Sequence, residues 1–237
     1  LGRVWYAWQI MTMIADNLYA VRARMAQACS AAGRSVDAVQ LLAVSKTFGP
    51  DAVQQAFDAG QRAFGENYIQ EAVEKIITLA TLPIEWHCIG PIQSNKTRLV
   101  AEHFQWAHTV DRLKIAQRLS EQRPAHLPPL QVCVQVNVDG GATKSGVLPA
   151  EALALARAVA ALPRLQLRGL MCIPEPAPDF VAACAVFKRA RGLFDALNAG
   201  GLGLDTLSMG MSADLDAAVA SGSTLVRVGT AIFGGRT

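Results

Sequence analysis

The sequence predicts an α/β fold, a closed (β/α)8 TIM barrel preceded by one N-terminal helix. Three observations predict it. Strand-like apolar runs alternate with helix-like patterns along the whole chain, which indicates a parallel sheet. Eight such strand–helix units follow one leading helix, and eight is the number that closes a barrel. The chain has 237 residues, a length at which α/β barrels fold as one domain.

The elements follow in order along the chain. The leading helix covers about residues 13–32 and ends near Gly33. The first strand is the apolar run Val39–Lys46, and Gly49-Pro50 is the turn signal after it. The other seven predicted strands are Arg62–Gly65, Glu85–Ile89, Trp106–Val110, Leu130–Val138, Gln166–Cys172, Thr206–Met209 and Thr224–Val228. The helices after the eight strands are predicted at about 50–59, from 67, and at 94–103, 112–122, 149–162, 179–198, 213–220 and from 230.

An open doubly wound sheet is the rival architecture for this alternation. Strands buried on both faces read as nearly continuous apolar runs in either fold, as Val132–Val136 does. No G-x-G-x-x-G follows the first strand, which weakens a dinucleotide-binding version of the open sheet.

Composition excludes several classes of function. The net charge is +3 and the 22 Lys and Arg residues are dispersed, so we expect no nucleic-acid partner. No apolar run is long enough to span a membrane. The five cysteines contain no C-x-x-C pair, and three lie inside strand-like runs. They are expected to be core residues of a cytoplasmic protein, without a metal site.

The N-terminal segment is set apart from the barrel. Leu1–Ile10 is aromatic and lacks a signal-peptide layout. Residues 1–12 are either an extra turn of helix or sequence upstream of the natural start. Residues 13–237 are predicted to form the single domain.

Lys46 is the first candidate site residue. Binding and catalytic groups of a barrel lie at the C-terminal ends of its strands, and Lys46 closes the first strand. Burial favours a neutral amine, and a neutral amine in a pocket can form a Schiff base with a carbonyl. Alone, such a lysine more often extends its ammonium group into solvent.

Two segments near the C-terminus predict an anion site. Ser212 and Gly229-Thr230 follow the seventh and eighth strands, each just before a helix, where backbone N–H groups bind phosphate. Taken singly, Ser212 is also a good N-cap and Gly229 also suits a turn. Because the eighth strand of a barrel adjoins the first, a ligand with a carbonyl and a phosphate would bridge both sites. Pyridoxal 5′-phosphate (PLP) fits, as does a phosphorylated aldehyde or ketose.

Six ordered motifs resemble a known family. They are Ala43–Thr47, Phe64–Tyr68, Trp86–Lys96, Arg168–Met171, Ser208–Asp214 and Val226–Thr230. The chain closely resembles the pyridoxal phosphate homeostasis proteins, relatives of the alanine racemase barrel, over about residues 13–234. The resemblance implies the fold type III PLP-binding barrel, with PLP as cofactor.

The resemblance also implies roles for individual residues. It implies that Lys46 forms the internal aldimine and that the phosphate is held by Ser212, Gly229 and Thr230. The family residues close to the cofactor match Asn67, Arg227, Ser208 and Met209. A guanidinium near the pyridine nitrogen disfavours protonation of that nitrogen, which suits a carrier or a restricted chemistry. Lys144 matches a further family lysine, either a secondary cofactor contact or a solvated loop residue.

The resemblance is compatible both with a carrier of PLP and with a PLP-dependent enzyme. Alanine racemase takes a second acid/base group from a separate C-terminal domain, whereas this chain ends at Thr237. Catalysis by His87 is disfavoured, since a histidine on a buried strand is usually a core residue, and Asp111 and Glu66 are expected to be structural. We therefore expect a monomeric protein without robust catalytic activity that binds PLP reversibly and buffers it or delivers it to apo-enzymes. The alternatives are a weak amino-acid racemase and a cofactor-free Schiff-base aldolase.

Overall fold

The structure, a computed structural model, describes residues 2–141 and 144–235, with side chains from residue 13 onwards. The strands are β1 (Gln40–Val44), β2 (Ala63–Glu66), β3 (Glu85–Cys88), β4 (Trp106–Val110), β5 (Leu130–Gln135), β6 (Leu165–Met171), β7 (Thr206–Ser208) and β8 (Leu225–Val228). The helices are α1 (Gly2–Ala31), α2 (Pro50–Asp58), α3 (Ile69–Thr78), α4 (Thr97–His103), α5 (Leu113–Gln122), α6 (Pro149–Ala160), α7 (Phe180–Ala199), α8 (Leu215–Ala220) and α9 (Thr230–Phe233).

The eight strands form a closed parallel barrel in sequence order. The closing pair is β1 with β8, in a register that runs from Gln40 opposite Leu225 to Ala43 opposite Val228. The predicted TIM barrel with a leading helix is therefore confirmed, and the open sheet is excluded.

Several element boundaries differ from the prediction. β1 ends at Val44, so Lys46 lies just beyond the last strand residue. The reason is local, because Thr47 takes a positive φ of 69° and the chain turns out of the barrel there. Helix α8 begins at Leu215, two residues later than predicted. Helix α1 begins at Gly2, whereas the periodic pattern was expected to start at about residue 13.

Side chains alternate along each strand between the helix layer and the barrel interior. Residues such as Leu41 and Ala43 belong to the large core between strands and helices. The interior holds two smaller apolar clusters. One contains Leu42, Val44, Ala63, Ile89 and Leu225, and the other contains Trp106, Cys133 and Met171. Buried polar residues also lie in the interior, and they are described below.

The cysteines are small core residues, as predicted. All five are free thiols, and only Cys184 is partly exposed. Burial raises the pKa of the Cys88, Cys133 and Cys172 thiols to about 12, so these three are unreactive at neutral pH. In the part of the chain that the structure describes, no helix has the length and hydropathy needed to cross a membrane.

Candidate functional site

A cavity of about 590 Å³ opens at the C-terminal ends of the strands. Six of the eight predicted site residues line it, and they come from four separate chain segments. Those six are Lys46, Asn67, Ser212, Arg227, Gly229 and Thr230. The barrel thus brings the predicted amine and the predicted anion site to one cavity.

Lys46 is half-buried in the wall of this cavity. Within the described residues no carboxylate lies within 4 Å of its amine, whereas Lys75 and Lys144 both form ion pairs. The chain on either side of it is fixed. The Ser45 hydroxyl donates to the Glu66 carboxylate at 2.6 Å, and the Thr47 N–H donates to Glu71 at 3.0 Å.

A second lysine, which the sequence did not single out, holds this strand end. Lys75 of α3 is only 3% exposed. Its Nζ donates to the Ser45 carbonyl at 2.9 Å and to Glu66 at 2.7 Å, and it lies 3.0 Å from Glu71. Burial raises the pKa of the Glu66 carboxyl despite the neighbouring Lys75. The available signal was its position three residues after Ala72 on the buried face of α3.

The anion side of the cavity is formed by the β7–α8 loop and the start of α9. Gly229 is the N-cap residue of α9, so the first N–H groups of this helix have no partner inside it. A Cβ at Gly229 would lie 3.1 Å from the Val44 carbonyl oxygen. Its φ is −116°, outside the left-handed region, so close packing against β1 explains the glycine and a positive-φ turn does not.

The N-cap explanation for Ser212 is also wrong. Asp214 is the N-cap residue of α8, and its carboxylate accepts the Met211 N–H at 2.6 Å. The Ser212 carbonyl accepts from Arg24 Nη1 at 2.6 Å. Ser212 is therefore held through its backbone, and its hydroxyl has no hydrogen-bond partner among the described residues.

Asn67 and Arg227 complete the polar wall. Asn67 Oδ1 is buried and makes no hydrogen bond to the described residues. A Cβ at Gly90 would overlap the Asn67 backbone, so the start of the β3–α4 loop packs directly against Asn67. The Arg227 guanidinium donates to Ser208 Oγ at 2.7 Å and to the Cys172 carbonyl at 2.9 Å. Its burial lowers its pKa, and no described carboxylate pairs with it.

Ser208 and Met209 do not contribute side chains to the cavity wall, and both are fully buried. Ser208 reaches the site through its hydrogen bond with Arg227. Met209 lies on the other face of the strand and packs in the core under the helices. Any contact between Met209 and a ligand would have to be through its backbone. The cofactor role of both residues stays a prediction.

Other residues considered from the sequence lie away from the cavity wall. His87 is fully buried with partners on both ring nitrogens. Asp111 pairs with Arg112 at 2.7 Å. Lys144 pairs with Glu175 at 3.3 Å, and Thr143 of its motif lies outside the described residues. The wall also contains Phe48, Ile89, Ile173 and Met211. The sequence did not single them out as site residues, because apolar wall positions carry no chemical signature.

Comparison with known proteins identifies the family. Residues 17–237 match the family described as alanine racemase, N-terminal domain. A pyridoxal phosphate homeostasis protein of Pseudomonas aeruginosa is 62% identical over 226 residues, covering 95% of this chain and 97% of that protein. The Escherichia coli K12 protein of the same name is 54% identical over 229 residues, covering 95% and 98%. The chain belongs to the pyridoxal phosphate homeostasis protein family.

Solved structures extend the comparison. PipY of Synechococcus elongatus PCC7942, determined with PLP bound, has a TM-score of 0.80 and 38% identity, with 93% of this chain and all of PipY covered. An alanine racemase of Clostridium difficile 630 has a TM-score of 0.74 at 14% identity, and 57% of that racemase is covered. The racemase shares the barrel fold with this chain, and the match of residues 17–237 to the alanine racemase N-terminal domain confirms the relationship that the six motifs implied.

Proposed function

We propose that this protein binds PLP covalently and reversibly through Lys46, and that it buffers the cofactor or delivers it to other proteins. The observation that carries the proposal is one cavity with a lysine on one side and a helix start on the other, neither of which has a partner among the described residues. An aldehyde that carries a phosphate matches both. Relatives named for PLP homeostasis, and PipY with PLP bound, support the choice of PLP.

The residues present fit this ligand. Ser212 and the N–H groups at the start of α9 would hold the phosphate. Asn67 Oδ1 is a buried acceptor without a partner among the described residues. An unsatisfied buried group is costly until a ligand hydroxyl or ring donor reaches it. Arg227 offers N–H donors from the floor of the cavity, close to the barrel interior.

The chemistry of attachment is reversible. The Lys46 amine would add to an aldehyde carbon, with formation of a C=N bond and loss of one water. Water or another amine reverses the step by adding to the same carbon. A protein that holds its cofactor in this way can therefore give it up without any redox change.

The cavity favours a carrier over a racemase. Racemisation needs a second acid/base group on the face opposite the lysine. The described residues that line the cavity include no carboxyl, imidazole, phenol or thiol group. Lys46 is therefore the proton-transfer group that the described wall offers at neutral pH.

The decisive experiment follows the visible absorption of the C=N bond on titration with PLP, then traps the bond with borohydride and maps the modified peptide. We expect modification of Lys46 and loss of the band in Lys46→Ala. Lys144→Ala is the matched control, because Lys144 also lies in a loop of this end of the barrel, and it should keep the band.

Two outcomes contradict the proposal. A Lys46→Ala protein that keeps the band, with borohydride trapping another lysine, would refute the attachment site. Racemisation of alanine well above the rate with free PLP would replace the carrier by an enzyme.

We also propose that the protein is a cytoplasmic monomer. Free, largely buried cysteines fit a reducing compartment, and a closed barrel presents no sheet edge for pairing with a second chain. Light scattering coupled to size-exclusion chromatography tests the second point, and a mass twice the 25.2 kDa of the chain would refute it.

A further inference from the structure

Four hydrogen bonds in series cross the interior of the barrel and end at the cavity. Glu85 Oε1 lies 2.9 Å from His87 Nε2, and His87 Nδ1 lies 2.9 Å from His108 Nε2. His108 Nδ1 lies 2.9 Å from Ser208 Oγ, which accepts from Arg227 Nη1 at 2.7 Å. Five polar side chains from β3, β4, β7 and β8 thus form one connected chain.

This chain of hydrogen bonds joins the two ends of the barrel. Glu85 is the first residue of β3, at the end opposite the cavity, and its side chain is 38% exposed. His87, His108 and Ser208 are completely buried. Arg227 lines the cavity. The ring of His87 also stacks on Trp106, with centroids 5.2 Å apart and planes 8° from parallel, which fixes its orientation.

The two ends of the chain fix the direction of every hydrogen bond. A guanidinium can only donate and a carboxylate can only accept. Each of the four hydrogen bonds needs one hydrogen, and Arg227, the Ser208 hydroxyl and two neutral imidazoles together supply four. In the arrangement that forms all four bonds, Ser208 donates to His108 Nδ1, His108 Nε2 donates to His87 Nδ1, and His87 Nε2 donates to Glu85.

The reversed arrangement needs a fifth proton. If His108 donated from Nδ1 to Ser208, His87 would have to donate from both ring nitrogens and would be an imidazolium. Burial lowers the pKa of His87 and, more strongly, that of His108. The hydrogen bond from His87 lowers the pKa of the Glu85 carboxyl, so that group stays an anion. Both rings are therefore neutral at pH 7. No group of three or more metal-ligating side chains exists in the described part of the chain, so a metal does not explain the histidine pair.

We propose that Glu85, His87, His108 and Ser208 are positioning residues that hold Arg227 as a fixed hydrogen-bond donor towards the ligand, with both histidines in the Nε2–H tautomer. The inference rests on the proposed function for the identity of that ligand. Its physical basis is that Arg227 is 3% exposed and has no carboxylate partner among the described residues. The Ser208 hydroxyl accepts from its Nη1 and the Cys172 carbonyl accepts from its Nη2, so the plane of the guanidinium is fixed before a ligand binds.

The tautomers are tested first, on the protein without PLP. Two-bond ¹⁵N–¹H correlation spectra at pH 7 distinguish Nε2–H, Nδ1–H and imidazolium rings. The chain has four histidines, and the exposed His126 and half-buried His103 are internal references. We expect Nε2–H signals for His87 and His108. An imidazolium or an Nδ1–H tautomer at either position would overturn the proposal, whatever the protein does with PLP.

The second test measures PLP affinity by titration of the visible band. Ser208→Ala removes the acceptor of Arg227 and should weaken PLP binding about tenfold or more, with borohydride still trapping Lys46. Ser223→Ala is the matched control, because Ser223 is equally buried and its hydroxyl bonds only backbone carbonyls. Its affinity should equal that of the wild type. Equal affinity in Ser208→Ala would overturn the positioning role, whereas absence of the band in the wild type would instead refute the proposed function.

A third variant keeps the inference testable if Ser208→Ala does not fold. Glu85→Gln changes the partly exposed end of this chain of hydrogen bonds, in which the direct partner of Glu85 is His87. We expect the ¹⁵N shifts of His108 to move, because the direction of the bonds is no longer imposed. Glu102→Gln, a partly exposed helix residue paired with Arg98, should leave them unchanged. Unchanged His108 shifts in Glu85→Gln would refute the connection.

Discussion

At the scale of the residue, the site depends on how closely two strand ends can approach each other. Lys46 and the start of α9 face one cavity because β1 and β8 pair along Gln40–Ala43. The two segments pack closely at Gly229, since a Cβ there would come within 3.3 Å of Val44 Cβ. We therefore expect Gly229 to influence the distance between the Lys46 amine and the proposed phosphate site.

Gly229→Ala tests this directly. The added methyl group presses on β1 two residues before Lys46, and overpacking of this kind costs about 1–3 kcal/mol. We expect PLP affinity to fall by about tenfold, measured by titration of the visible band. Gly192→Ala is the control, since a Cβ there meets nothing within 4 Å, and it should bind PLP normally. Equal affinities in the two variants would show that the spacing is not limiting.

The sequence could predict which polar residues line the cavity, and the reasons are specific. Lys46, Asn67, Ser212 and Gly229-Thr230 each follow a strand, and the rule that barrel sites lie at strand C-termini selects them. The rule does not say which face of a strand a residue occupies. Ser208 and Met209 are adjacent and therefore point to opposite faces, and only contacts between strands reveal which one reaches Arg227.

At the scale of the element, helix α3 fixes the end of β1. Its Lys75 reaches under the strand end, where it binds the Ser45 carbonyl and two carboxylates, Glu66 and Glu71. Since Glu66 also accepts from Ser45, the residue before Lys46 is held through both its backbone and its side chain. Lys75 and Glu66 are buried, so each charge is stabilised only while the other is present.

Removing the cation should be strongly destabilising. Lys75→Met leaves the Glu66 carboxylate buried without its partner, which costs about 3–5 kcal/mol. Urea unfolding measures the change. Lys114→Met on the exposed face of α5 should shift stability by no more than about 0.5 kcal/mol.

The pair of charges should show coupling. Lys75→Met combined with Glu66→Gln removes both charges, so the double variant should be more stable than Lys75→Met alone. A double variant that is less stable, by the sum of the two single changes, would mean that the charges act independently.

Sequence patterns predicted the order of elements but not their ends. Continuous apolar runs mark buried strands, and that signal is strong for β5, where Gln135 alone interrupts the run Val132–Val136. Where a strand leaves the barrel depends on turn geometry, as at Thr47 with its positive φ. Helix α8 likewise begins after the N-cap residue Asp214 and not after Ser212. The Asp214 carboxylate accepts the Met211 N–H, and this hydrogen bond holds the loop before the helix.

At the scale of the whole molecule, the barrel interior is divided by the hydrogen-bonded column that runs from Glu85 to Arg227. Apolar clusters lie on its two sides, one near β1, β2, β3 and β8, and the other near β4, β5 and β6. Polar groups in such a place are stable only when each has a partner. Because Glu85 is partly exposed at one end of the column and Arg227 lines the cavity at the other, the pH of the solution should affect both the stability of the barrel and the candidate site.

This column predicts a dependence of stability on pH. The pKa values of folded His87 and His108 lie below the ordinary 6.5, so below about pH 6.5 the unfolded chain binds protons that the folded chain does not. Stability therefore falls with falling pH, by about 1.4 kcal/mol per pH unit for each histidine that stays neutral. Glu85, whose pKa is lowered, adds a loss only at still lower pH. Arg227 keeps its charge throughout.

Urea unfolding at pH 7.0, 6.0 and 5.5 measures this slope. His108→Asn should reduce the slope of stability against pH by about the contribution of one histidine, although the free energy of unfolding of the variant is lower at every pH. His126→Asn, which changes an exposed ring, should leave the slope unaltered. An unchanged slope in His108→Asn would place the linked protons elsewhere.

The stability of the fold and the binding of PLP should be separable. The core between strands and helices is formed by side chains of the protein itself, so we expect the barrel to stay folded when PLP leaves. Binding should then add stability only by mass action, about 2.7 kcal/mol at a PLP concentration one hundred times its Kd. Urea midpoints of the wild type should rise with PLP and return when a large excess of a primary amine removes it. The midpoint of Lys46→Ala should respond far less and, without PLP, stay close to that of the wild type. A wild-type protein that unfolds as PLP is withdrawn would make the cofactor a structural part of the barrel, and it would rule out a carrier.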